Sequence, residues 1–93
     1  MEQALTKVVL THAVEEVERW LGFKGERAAS IEGMGGSNVV DHVAADGSKN
    51  VAVSVDVADM GAFQSGLASP PPEVVAAMGR HGVIQPVTVH VEK

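Results

Sequence analysis

Two apolar, β-branched runs face each other across a polar turn between Ser37 and Val57, and few folds accommodate that arrangement in the middle of a short chain. Val39, Val40 and Val43 precede the turn Asp46-Gly47-Ser48-Lys49. Val51, Val53, Val55 and Val57 follow it, alternating with Ala52, Ser54 and Asp56 at the two-residue period of a strand. The stretch predicts a β-hairpin whose second strand is apolar on one face.

The segments on either side supply one strand and one helix each. Leu5 to His12 alternates, with Val8, Leu10 and His12 on one face and Lys7, Val9 and Thr11 on the other. From about Val14 the apolar residues Val14, Val17, Leu21, Ala28 and Ile31 recur at helical spacing, with Glu15, Glu18, Arg19 and Glu26 on the solvent side. Gly22 and Gly25 each cost a helix interior about 1 kcal/mol against alanine, so an interruption is expected near them. Gly33-Met34-Gly35-Gly36 reads as the turn that ends this segment; it precedes a strand, whereas a phosphate loop precedes a helix.

After the hairpin, Asp59 is a candidate cap for a helix that buries Met60, Phe63 and Leu67. Ser69-Pro70-Pro71-Pro72 stops it, with the third proline suited to open a new helix that carries Val74, Val75 and Met78 inward. That helix closes at His81-Gly82. A last strand, Val83 to Val91, presents Val87, Val89 and Val91 inward and Thr88, His90 and Glu92 outward.

The resulting order, βαββαβ, is the ferredoxin-like α+β pattern. Right-handed crossovers then require a four-stranded antiparallel sheet of order 4-1-3-2 with both helices on one face. With 93 residues and no linker or repeat, residues 1–93 are read as one domain. The other sheet face is expected to carry Val9, Val39, Asp41, Val43, Ser54, Thr88 and His90. That surface is too apolar to leave in water, and a second copy of the chain, giving a homodimer, is the economical cover.

A net charge of −5 with interspersed Lys and Arg offers no basic stripe for nucleic acid. No apolar run approaches the roughly 20 residues that span a bilayer. Met1-Glu2-Gln3 begins acidic, without the pattern of an export signal, so a cytoplasmic location is expected. The chain has no cysteine, which removes thiol chemistry and thiolate metal sites.

Chemistry therefore falls to histidine and carboxylates. Strand direction brings His12, His42 and His81 to one rim of the molecule, with Trp20 one or two helical turns inside. If residues 45 and 50 close the hairpin, His42 stands opposite Val53 and faces the helices. His12 and His42 then lie about 10 Å apart across two strand spacings, wide enough to hold a small molecule. The expected ligand pocket comprises His12, Trp20, His42, Phe63, Met78 and His81, with His12 as candidate general base because imidazole moves protons near neutral pH. The histidines share no tight local spacing, so no metal site is expected.

Two stretches carry a family resemblance. His12-Ala13-Val14-Glu15-Glu16-Val17-Glu18-Arg19-Trp20 is similar to the first strand-to-helix junction of the dimeric α+β barrel superfamily, in particular the small proteins related to antibiotic biosynthesis monooxygenases, with Val17 at a position those relatives fill with an aromatic. Ser69-Pro70 through Val74, Ala77-Met78, Gly82-Val83 and Pro86 resembles their second helix and approach to the last strand. The resemblance implies a homodimer and a small-molecule site. Among activities it implies cofactor-independent oxygenation, haem degradation or cyclisation. The haem-degrading branch uses an Asn, a Trp and a His where this chain has Thr11 and His12, no third-strand aromatic, and His81, so no cofactor is expected. Two functions follow as alternatives: a protein that binds a small, largely apolar ligand between helices and sheet, with or without catalysis, and a non-catalytic interaction or assembly module.

Overall fold

A computed structural model describes residues 4–93. Met1, Glu2 and Gln3, on which the reading of an acidic, signal-free start rests, lie outside the described residues. The elements are β1 (Thr6–Val14), α1 (Val17–Leu21), α2 (Lys24–Glu32), β2 (Gly36–Val43), β3 (Asn50–Val57), α3 (Met60–Ala68), α4 (Pro72–His81) and β4 (Val83–Val91). The four strands form one antiparallel sheet of order β2-β3-β1-β4, which is the order expected from the sequence. No helix among the described residues is long and apolar enough to cross a membrane.

The core lies between the helices and one face of the sheet. Val8, Leu10 and Val14 of β1 and Val51, Val53, Val55 and Val57 of β3 meet Trp20, Ile31 and Phe63 there. Both helical segments are divided where the sequence places a break. The first breaks at Gly22-Phe23, and the second at Ser69-Pro70-Pro71, where a proline ring cannot continue the ladder. Asp59 caps α3 through Ala62 N–H at 3.1 Å, Pro72 is the first residue of α4, and Gly82 closes α4 at φ +75°. Gly36 sits where a Cβ would come within 2.6 Å of Val55 and 2.8 Å of Ile31, so the α2 to β2 connection approaches the core as closely as a bare backbone allows.

Three expectations are corrected. Val14 does not begin a helix; it ends β1, paired with Val83. Val75 does not point inward but is 54% exposed, and Ala77 takes the buried place on α4. The third correction concerns the hairpin, which closes one residue away from the expected register. Ala44 N–H donates to the Asn50 carbonyl, leaving five residues, Ala45 to Lys49, in the turn instead of four. Asp46 accepts from Ser48 N–H at 2.8 Å, and Gly47 takes φ +78°.

That one-residue slip reverses both faces of β2. Asp41 pairs with Val53 and Val43 with Val51, so Val39, Asp41 and Val43, expected on the open face, point to the helix side. His42 pairs with Ala52, and Val40 with Ser54, on the open face. Val9, Ser54, Thr88 and His90 keep the open face assigned from the sequence.

Candidate functional site

Pairing of β1 with β4 changes register between Thr11 and Ala13. Thr11 pairs with Thr88 but Ala13 pairs with Ile84, so Gln85 to Val87 span the place where a single partner for His12 would stand. A cavity of about 180 Å³ opens beside His12 between the sheet and helices α2 and α4. Leu10, Ile31, Met34, Val53, Leu67 and Val87 form its apolar walls, and His12, Arg27 and His81 are its ionisable lining.

His12 reaches this place because residue 12 falls in the helix-facing register of β1, opposite Val51. Its Nδ1–H donates to the Ala13 carbonyl at 2.9 Å, and its ring meets Trp20 edge-on with centroids 6.0 Å apart. A nitrogen bonded to a carbonyl must carry the proton, so in the neutral ring Nε2 keeps its lone pair. Burial lowers the His12 pKa below 6.5, opposed by the bond to Ala13 and reinforced by the charge of Arg27. Near pH 7 it is a neutral imidazole with one basic nitrogen.

Arg27 is the residue the sequence reading did not single out. Its side chain and that of Asp41 are 8% and 2% exposed, joined by two parallel bonds, Nε to Oδ1 at 3.1 Å and Nη2 to Oδ2 at 2.8 Å. Nη2 also donates to the Trp20 carbonyl at 2.8 Å, and the guanidinium lies 3.9 Å from the centre of a Trp20 ring. Nη1 donates to His81 Nδ1 at 3.3 Å. Since arginine only donates, His81 carries its proton on Nε2, which donates to Glu26 at 3.0 Å. Phe23 stacks on the His81 ring at 4.5 Å. Burial lowers the His81 pKa against the raising effect of Glu26, while hydrogen bonds from His81 and Arg80 lower that of Glu26.

Of the six residues expected to line the pocket, His12, Met78 and His81 border this cavity. Trp20 and Phe63 are fully buried and form packing behind it; Trp20 Nε1 has no hydrogen-bond partner among the described residues. His42 is on the opposite face, where its Nε2 lies 2.9 Å from Ser54 Oγ. It borders an open trough of about 520 Å³ on the bare sheet with Thr11, Asn50, Ala52, Pro86 and Thr88. A signal for the missed pair was present. Arg27 interrupts a stripe that joins Trp20 and Ile31 at helical spacing, and Asp41 stands between Val39 and Val43, so each charge sits on an otherwise apolar line.

The whole chain superposes on solved structures of the same size. The putative antibiotic biosynthesis monooxygenase of Bordetella bronchiseptica matches with a TM-score of 0.68 at 14% identity, over 98% of this chain and 97% of that one. The corresponding Nitrosomonas europaea protein gives 0.61 at 8% identity, over 99% and 91%. Rv0793 from Mycobacterium tuberculosis gives 0.58 at 16%, over 97% and 94%. This chain shares their fold. No family model matches the sequence and no curated protein matches it, so the likeness to these monooxygenase-type structures is one of ferredoxin-like architecture.

Proposed function

We propose that this chain is a small homodimeric α+β barrel protein that binds a small, largely apolar ligand between its helices and sheet. In this reading His12 removes a proton from the ligand, as in cofactor-independent oxygenation, isomerisation or cyclisation. The observation that carries the reading is the cavity itself: apolar walls meeting, at one end, a neutral imidazole whose Nε2 is unengaged among the described residues. A base needs both its lone pair and a dry site in which to use it. The monooxygenase-type names of the structures that share the fold favour a small organic ligand.

The dimer rests on the open face. Val40 and Ile84 are exposed there at 41% and 44%, on the same face as the half-buried Val9. A face of this kind is covered in a stable protein, and a second copy presents a matching one.

His12→Ala tests the site. It should lower ligand binding or turnover at least tenfold while sedimentation shows an unchanged dimer, and His90→Ala, on the open face, should leave both ligand binding and turnover intact. A His12→Ala protein that binds and turns over as before would remove His12 from the site and favour the assembly-module alternative.

A further inference from the structure

Arginine carries five N–H donors. Asp41 takes the Nε proton and one on Nη2, the Trp20 carbonyl takes the other on Nη2, and His81 Nδ1 takes one on Nη1. The second proton on Nη1 has no acceptor among the described residues, and Arg27 lines the cavity. His12 offers the complement, an Nε2 lone pair with no donor among the described residues. Both groups are packed on Trp20, the guanidinium 3.9 Å from a ring centre and the imidazole 6.0 Å away. Of the ionisable groups that line the cavity, Arg27 thus presents one free donor and His12 one free acceptor, with the neutral Ser30 and Gln85 elsewhere in the lining.

Size and charge restrict what can use them. A volume of about 180 Å³ is close to the roughly 150 Å³ that encloses one benzene ring and well short of the 300 Å³ or more typical of drug-sized ligands. The charges are already balanced, Arg27 by Asp41 and Arg80 by Glu26. A carboxylate ligand would add a buried charge with no free partner, which desolvation penalises heavily.

Building on the ligand-binding reading above, we infer that the cavity selects a neutral, one-ring molecule with a single hydroxyl group. Its O–H donates to His12 Nε2 and its oxygen accepts from the spare Arg27 N–H. Arg27 is then the residue that sets specificity for an oxygen at that end, while the apolar walls accept any ring of the right size.

Titration calorimetry of the unmodified protein at pH 7.5 against phenol, cyclohexanol, toluene and benzoate tests the inference. Phenol and cyclohexanol should bind about tenfold more tightly than toluene, the effect of a modest hydrogen-bond gain, and benzoate should not saturate. His12→Leu should erase the preference for the hydroxyl while holding toluene within about twofold. Arg27→Met combined with Asp41→Leu, which leaves neither charge unpaired, should erase it too; should that double variant fail to fold, the affinity order and His12→Leu decide. Toluene binding as tightly as phenol, or benzoate binding best, would overturn the hydroxyl selection while the ligand-binding reading stands. Binding of none of the four would overturn both.

Discussion

Arg27 and Asp41 show how one pair of charges can be tolerated in a small core. Each guanidinium and carboxylate atom that points at the other is bonded, and their planes match in a two-pronged contact. Removing one partner strands the other. Asp41→Ala should therefore cost about 3–5 kcal/mol, a large share of the roughly 5–15 kcal/mol that holds a domain together, measured as a fall in the urea midpoint. Arg27→Met with Asp41→Leu should cost less than Asp41→Ala alone, because no unpaired charge remains. At this scale the sequence was only partly legible. His12 could be placed because its position follows from strand alternation within β1, a local rule. The Arg27 to Asp41 bond could not, because it depends on which face of β2 looks inward, and that is settled by a turn and not by the strand's own pattern.

Among the elements, β3 is the one whose alternation is unambiguous, and it fixes the sheet's two faces. Val53 is 2% exposed on the helix side, while Ser54 bonds His42 on the open side. Val53→Asp should destabilise the chain by more than about 3 kcal/mol, as a buried carboxylate with no partner does. Ser54→Asp should change stability by less than about 1 kcal/mol and shift sedimentation toward the monomer; equal losses of stability at the two positions would contradict the assigned faces. Strand β2 was harder to read because valines fall on both its faces, Val39 and Val43 on one and Val40 on the other. Its hydrophobicity does not choose a register. The choice lies with the five-residue turn and with a bulge between Ser37 and Val40, where Asn38 adopts φ +52°. The number, type and order of elements, by contrast, followed from periodicity and from glycine and proline positions, which act locally.

For the molecule as a whole, the buried histidines set how folding responds to acid. Burial holds the pKa values of His12 and His81 below 6.5 in the folded chain, so the unfolded chain takes up those protons first as pH falls. Their contribution to stability is complete above about pH 7.5 and is lost as pH drops through 6.5 toward the lower folded values. Glu26, Asp46 and Asp56, held below their ordinary values by hydrogen bonds, add a second loss only once pH falls through the carboxylate range. The urea midpoint should thus decline from pH 7.5 to 5.5. His81→Gln should flatten that decline, since an amide accepts from Arg27 and donates to Glu26 without titrating; a slope unchanged by His81→Gln would assign the effect elsewhere. The same network has a further consequence for local opening. The bond between Arg27 and Asp41 spans 14 positions in sequence and ties α2 to β2, an edge strand with a free side. An edge strand would ordinarily fray first; here separation of β2 must also break a buried ion pair on α2, so helix, turn and strand open as one cooperative unit and the margin of the sheet inherits the persistence of the helix layer.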